Sequence, residues 1–241
     1  MRLYGNNPVL ERLKTNPKSI RRITLQEGHP DTGYFQRKAR QWGIPVVIVP
    51  KSKILKLARS ANTQGVVFDI DDFCYTPFSD ALIWAKKKKA PLVFLDELND
   101  PQNLGGMIRT MACLGDFVVV LPTHKSVQVT EAVLRVACGG DNYVKVSKVS
   151  NLSQAIRHSK EEGYWIAGTV VQGGVPLTEV VFPVLCGLLI GSEQKGVRYV
   201  LLKLVDQELT IPMAQPRLSL NVAHALTVIS YEIIRQKGQR A

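Results

Sequence analysis

The stretch Asp206–Arg235, DQELTIPMAQPRLSLNVAHALTVISYEIIR, decides how this chain is read. Leu209, Thr210 and Ile211 form a short β-prone run that stops at Pro212, which has no N–H to give to a sheet ladder. Beyond it Leu220, Ala223, Leu226, Val228, Ile229, Ile233 and Ile234 recur at helical intervals. Met213 to Ser219 therefore read as a polar loop leading from a strand end into a helix N-terminus. In α/β proteins such loops commonly bind ligands, because the unbonded N–H groups of the helix start are aimed at them. Ser219 carries two readings: a simple helix cap, or a group that meets a ligand.

Working outward, 241 residues suffice for one large or two small domains with a buried core. A formal net charge of +11 favours a polyanionic partner such as nucleic acid. Basic residues gather in the first forty positions (Arg2, Arg12, Lys14, Lys18, Arg21, Arg22, Arg37, Lys38, Arg40) and again at Lys86 to Lys89. Cys74, Cys113, Cys138 and Cys186 are far apart, with no C-x-x-C and no paired His. They are expected to be small buried hydrophobes in a reducing compartment, with neither a zinc site nor a redox motif. His29, His124, His158 and His224 share no metal-like spacing, so no metal is expected; His224 alone is near the candidate site. The N-terminus turns polar at once, without an apolar signal region, and no run reaches membrane-spanning length. A cytoplasmic protein that does not engage a membrane is the expectation.

Along the chain, Asn6 to Leu13 predict a helix with Pro8 near its first turn. Strands at Ile20–Leu25, Val46–Val49 and Val66–Asp69 alternate with helices over Thr32–Gln41 and Ser52–Ser60. This makes a small α/β domain over 1–75. The regular pattern then fades through Thr76-Pro77 and the lysine run, which predicts a linker over 76–90. A longer α/β series fills 91–241. Its strands, among them Leu92–Leu95, Phe117–Leu121 and Leu185–Ile190, are nearly all apolar, as in a parallel sheet flanked by helices on both faces.

Three polar clusters follow strands of this series. The first, DELNDPQNLGGMIR from Asp96 to Arg109, offers the amide of Asn103 and the guanidinium of Arg109 near one strand end. Asn103 could equally be a helix N-cap, and Arg109 a surface cation. Gly105 and Gly106 are poor helix formers, so something is expected to pack closely against the backbone there. The second cluster, Gly191-Ser192-Glu193-Gln194-Lys195-Gly196, sets Glu193 directly beyond a buried strand. The third is the opening loop, with Ser219 and Asn221. Together they describe a site rich in hydrogen bonds and lacking a His-based nucleophile. There is no G-x-x-x-x-G-K-[ST] phosphate loop and no G-x-G-x-x-G after the first strand, which disfavours nucleotide hydrolysis and an ordinary dinucleotide fold.

In order and spacing, LDELNDPQNLGGMIRTMACLGDFVVVLP, LLIGSEQKGV and LTIPMAQPRLSLNVAHALTVISYE resemble the three motifs of the SpoU (TrmH) branch of the SPOUT RNA methyltransferases. The resemblance covers residues 92 to 237, and YGNNPVLERL looks like the start of that family's small substrate-binding domain. It implies a trefoil-knotted parallel sheet preceded by a small α/β substrate-binding domain, and a homodimer packed through Asn103 to Leu114 and Leu220 to Arg235. It also implies S-adenosyl-L-methionine as cofactor, held by Gly191, Ile211 and Leu220 with Thr169, Leu189 and Met213 as pocket neighbours. Asn103, Arg109, Glu193, Ser219 and Asn221 become the catalytic or ribose-orienting set. Departures from the family pattern include Ala223-His224-Ala225 after Val222, Gly139-Gly140-Asp141-Asn142, and Gln215 in the third motif, where the family usually has Gly. A left-handed backbone there would strain it.

The implied reaction is methyl transfer to a ribose 2′-hydroxyl of structured RNA. Ribosomal RNA is the first expectation, with a 23S guanosine as one candidate within it, and transfer RNA the alternative. A rival of another class is a catalytically silent RNA-binding or ribosome-assembly protein that keeps the fold.

Overall fold

Alternating apolar strands and amphipathic helices fold, in a computed structural model, into two units of unequal size. The structure describes residues 1–58, 62–192, 194–215 and 218–238. One unit comprises Met1–Cys74 with Val129–Asn142, the other Tyr75–Gln128 with Tyr143–Ala241. In chain order, the first opens with β1 (Arg2–Tyr4), α1 (Asn6–Thr15), β2 (Ile20–Gln26), α2 (Thr32–Arg40), β3 (Val46–Val49), α3 (Lys51–Ala58) and β4 (Val66–Ile70). The second begins with α4 (Phe78–Lys88), β5 (Leu92–Asp96), α5 (Pro101–Leu114) and β6 (Val118–Pro122). After α6 (Glu131–Ala137), which groups with the first unit, it resumes with β7 (Lys145–Val149), α7 (Leu152–Glu161), β8 (Trp165–Thr169) and β9 (Val175–Pro176). It ends with β10 (Cys186–Gly191), α8 (Tyr199–Leu202), β11 (Gln207–Thr210) and α9 (Val222–Gly238).

In the first unit a mixed four-stranded sheet runs β1-β4-β2-β3. β1, three residues long and too short to show a period, pairs antiparallel with β4, Leu3 opposite Phe68. The expected helix over Ser52–Ser60 appears as α3, and its last two positions lie outside the described residues. The segment around α6 is held to α1 by local chemistry. Arg12 forms a buried ion pair with Asp141, and a Cβ on Gly139 would lie 2.7 Å from the Cβ of Glu11. Burial raises the Asp141 carboxyl above its ordinary range, and the Arg12 guanidinium pulls against that rise.

The second unit is built on a seven-stranded sheet in the order β7-β6-β5-β10-β8-β11-β9, every pair parallel. β5, β6 and β10 are buried along their whole length, which agrees with their unbroken apolar sequences. The expected linker over 76–90 is corrected. It carries α4, whose Ala81, Leu82 and Ala85 sit in the core with Phe94, Val118 and Val120. The lysines that suggested a linker occupy the last turn of this helix, where they complement its dipole. The cysteines also differ from expectation. Cys186 is buried, Cys138 partly so, and Cys74 and Cys113 are exposed.

Candidate functional site

The ends of β5, β10 and β8 meet because register aligns them: Gly191 lies opposite Asp96 and Leu189 opposite Gly168. β11 continues the row, Leu209 opposite Thr169. Two neighbouring cavities open on these ends. One, of about 440 Å³, is largely apolar; Ile190, Leu209, Val222 and Ile229 are among its walls. The other, of about 700 Å³, is polar and lined by Glu97, Asn99, Asp100, Asn103 and Asn221. Ser192, Gln194 and Lys195 line both, so the loop after β10 forms their common wall.

Thr169, Gly191, Ile211, Met213 and Leu220 all line the apolar cavity, as does Ser219. Leu189 does not. It is fully buried in β10, where its carbonyl accepts a hydrogen bond from Thr169 Oγ1 at 3.3 Å and so fixes the Thr169 side chain. A Cβ on Gly191 would lie 1.9 Å from the backbone carbon of Gly196, so only glycine allows the loop to turn back so tightly against the strand.

Asn103 and Asn221 meet in the polar cavity. Asn221 Nδ2 donates to Asn103 Oδ1 at 3.0 Å across 118 positions of sequence. The capping expected of Asn103 falls instead to Asp100, which accepts from the Gln102 N–H at 2.8 Å, because α5 begins at Pro101, earlier than periodicity suggested. Similarly α9 begins at Val222, and Asn221, not Ser219, takes the capping place: its Oδ1 accepts from the Ala223 N–H at 2.9 Å. Asn221 therefore ties the start of α9 to α5. Gly106 faces Ala223 of α9, and a Cβ on it would lie 3.8 Å from that of Ala223, an ordinary van der Waals contact, so the close packing expected against these glycines does not require glycine at 106.

Arg109 is exposed on α5 and lines neither cavity. Glu193 lies outside the described residues. Exposed His224 also lines neither cavity. Gln215 is not among the left-handed non-glycine residues, so the strain considered for it does not arise.

Two contributors were not assigned from sequence. Asp96, fully buried at the end of β5, accepts from the Arg198 backbone N–H at 3.0 Å and from its guanidinium at 2.6 and 2.9 Å. These bonds fasten the far end of the shared loop to the neighbouring strand, and they raise the Arg198 guanidinium above its ordinary pKa. Glu97, held left-handed at φ 55°, lines the polar cavity with its carboxylate 3.7 Å from Arg198 Nε. The only sequence signal for the clamp is the polar Asp96 that ends an apolar run; its partner is 102 positions away.

Parallel strand ends that carry an apolar cavity beside an amide-lined polar one define a ligand-binding α/β unit of the doubly covered kind. Comparison with known proteins makes the assignment specific. Residues 90–231 match the SpoU rRNA Methylase family, and residues 2–76 match a family described as RNA 2'-O ribose methyltransferase substrate binding. The chain belongs to the SpoU (TrmH) family of RNA methyltransferases. It is 33% identical over 241 residues to an uncharacterized tRNA/rRNA methyltransferase of Synechocystis, covering 98% of this chain but 62% of that protein. It is 30% identical to the 23S rRNA (guanosine-2'-O-)-methyltransferase RlmB of Coxiella burnetii, covering 98% of this chain and 95% of that one. The fold is also that of the SpoU methyltransferase AviRb from Streptomyces viridochromogenes, solved in complex with AdoMet. There the TM-score is 0.82 at 20% identity, over 98% of this chain and 90% of that one. Among the described residues no helix is long and apolar enough to cross a membrane.

Proposed function

We propose that this protein transfers a methyl group from S-adenosyl-L-methionine to a ribose 2′-hydroxyl of ribosomal RNA, at a guanosine as in the Coxiella relative. The observation that carries the reading is the pair of cavities that share Ser192, Gln194 and Lys195 as a wall: an apolar one of a size suited to a small molecule, and a polar one beside it. The apolar walls and the close turn at Gly191 would accept the cofactor in the first, where Thr169, Gly191, Ile211, Met213 and Leu220 would hold it. When bound, S-adenosyl-L-methionine supplies a methyl on a cationic sulfur that leaves as a neutral thioether. The protein's task is then mainly to hold the hydroxyl in line. The Asn103–Asn221 amide pair, locked to a helix start, is rigid enough to orient it, with Ser219 at the edge of the apolar cavity. The ribose oxygen held there would take the methyl carbon that the sulfur gives up, and its proton would be lost to solvent. Arg109 serves as an anchor for phosphate, since a guanidinium with a pKa of about 12.5 or above is a poor proton acceptor. Glu193, in the same loop as Lys195, completes the proposed set.

Homodimerisation through α5 and α9 accounts for the exposed Val228 and Tyr231 on α9, and would carry Arg109 from the open surface into a shared site. The knot implied by the family motifs and a cytoplasmic location belong to the same proposal, as does RNA binding by the first unit.

The test is labelled methyl transfer to protein-free ribosomal RNA, followed by alkaline hydrolysis. A ribose 2′-O-methyl group blocks cleavage at its own nucleotide, so label is expected in alkali-stable dinucleotides. Label in methylated bases released as mononucleotides would sink the ribose reading, and label only in transfer RNA would move the substrate.

A further inference from the structure

Ion pairing divides the cations of the first unit into two sets. On β1, β2 and α1 they are matched. Arg2 and Arg22 share Asp69, Arg21 pairs with Asp71, Arg12 with Asp141 and Lys14 with Glu11. Around the edge strand β3 they are not. Arg37 and Arg40, one helical turn apart on α2, and Lys51 and Lys53, which open α3, are exposed and have no carboxylate partner among the described residues. Trp42 stands just beyond the Gln41 that caps α2 and is 50% exposed, before a turn completed by left-handed Gly43 at φ 65°. β3 itself ends the sheet, and its Val47 and Ile48 are exposed.

Basic residues can serve a helix C-terminus, and edge lysines can discourage strand pairing. Neither role calls for an indole left in water on the same edge. An exposed aromatic ring on the same edge as unpaired cations is the chemistry that binds an unstacked base together with neighbouring phosphates. Paired bases of an RNA helix offer no such face to a side chain, which points to a loop or bulge.

We propose that the last turn of α2, Trp42 and the β3–α3 junction form the face on which a single-stranded loop of structured RNA docks. Trp42 stacks on an unpaired base, and Arg37, Arg40, Lys51 and Lys53 hold phosphates. This rests on the reading of the first unit as RNA-binding and assigns that function to one edge of it.

The experiment uses the full-length protein and a fluorescent RNA stem-loop with a single-stranded loop, with affinity measured across a salt series. Thermal unfolding of every variant checks the fold. Replacing Arg37, Arg40, Lys51 and Lys53 together by Gln should reduce the slope of log affinity against log salt by roughly 3, at about 0.7 per lost contact. Trp42→Ala should weaken binding roughly tenfold, and Trp42→Phe should recover most of it. Lys14→Gln with Arg21→Gln, on the paired side, should leave the slope unchanged. If the paired-side variant lowers the slope and the edge variant does not, this face is wrong while RNA binding by the unit stands. If RNA binds and neither set matters, that broader reading fails as well. Edge substitutions that alter the sedimenting mass but not RNA affinity would give the face to a second copy of the chain and overturn the proposal.

Discussion

Asn103 and Asn221 show how much a single amide can be asked to do. Asn221 caps α9 through its Oδ1 and reaches Asn103 with its Nδ2, so one side chain fixes both a helix start and the polar cavity. Asn103→Asp keeps the acceptor that Asn221 uses and removes the amide N–H donors. We expect its thermal stability to change by less than about 1 kcal/mol, while kcat falls about tenfold or more. Asn221→Ala should lose activity similarly and, in addition, about 1 kcal/mol of stability through the missing cap. Turnover undiminished in Asn103→Asp would remove the amide from the catalytic set. Sequence made both asparagines candidates but misjudged which residues cap. Helix starts shift by a turn without disturbing the apolar period, and at Asp100, Asn103, Ser219 and Asn221 every side chain has capping chemistry.

At the level of elements, the loop between β10 and α8 forms the wall shared by the two cavities, and Arg198 anchors it to Asp96 on β5. Asp96→Asn replaces charge-assisted bonds by weaker ones and should destabilise the fold by about 1–3 kcal/mol in denaturant titrations. The Michaelis constant for the cofactor should rise with it; a cofactor constant that stays put would mean the clamp does not shape the cavity. In the four-stranded sheet, burial acts to raise the Asp69 carboxyl, but hydrogen bonds from Arg2 and Arg22 outweigh it and hold the pKa below the ordinary value. Because the folded-state pKa is depressed, this stability is present above the unfolded value of about 3.9 and is lost as pH falls through the lower folded value. Asp69→Asn should therefore flatten the loss of stability below about pH 4, measured as the shift of the unfolding midpoint with pH. Most strands and helices were legible from period and composition. α4 was not, since its lysine run masked the buried Ala81, Leu82 and Ala85 on its other side.

For the whole molecule, a cofactor bound only by the folded state must raise the unfolding temperature. At about 100 times its dissociation constant, S-adenosyl-L-methionine should add about 2.7 kcal/mol, which calorimetry can compare with the affinity measured directly. A ligand that binds tightly yet leaves the unfolding midpoint unmoved would show that the opened chain binds it equally well. The placement of Arg109 also belongs to this scale. It faces outward from α5 and lines neither cavity, so a catalytic part for it requires the proposed dimer.

By itself the sequence determined the alternation of strands and helices, the parallel character of the large sheet and the three polar clusters at its strand ends. Those features are written in unbroken apolar runs, in a helical period of 3.6 residues and in turn chemistry, which act over a few positions. Only the tertiary structure decided that Asn103 meets Asn221, that Asp96 holds Arg198, and that 129–142 group with α1 and β1 instead of with the sheet they interrupt. Strand order and register bring these residues together across more than a hundred positions. No local preference specifies a partner at that distance, because the bond that rewards it forms only after the sheet has chosen its order.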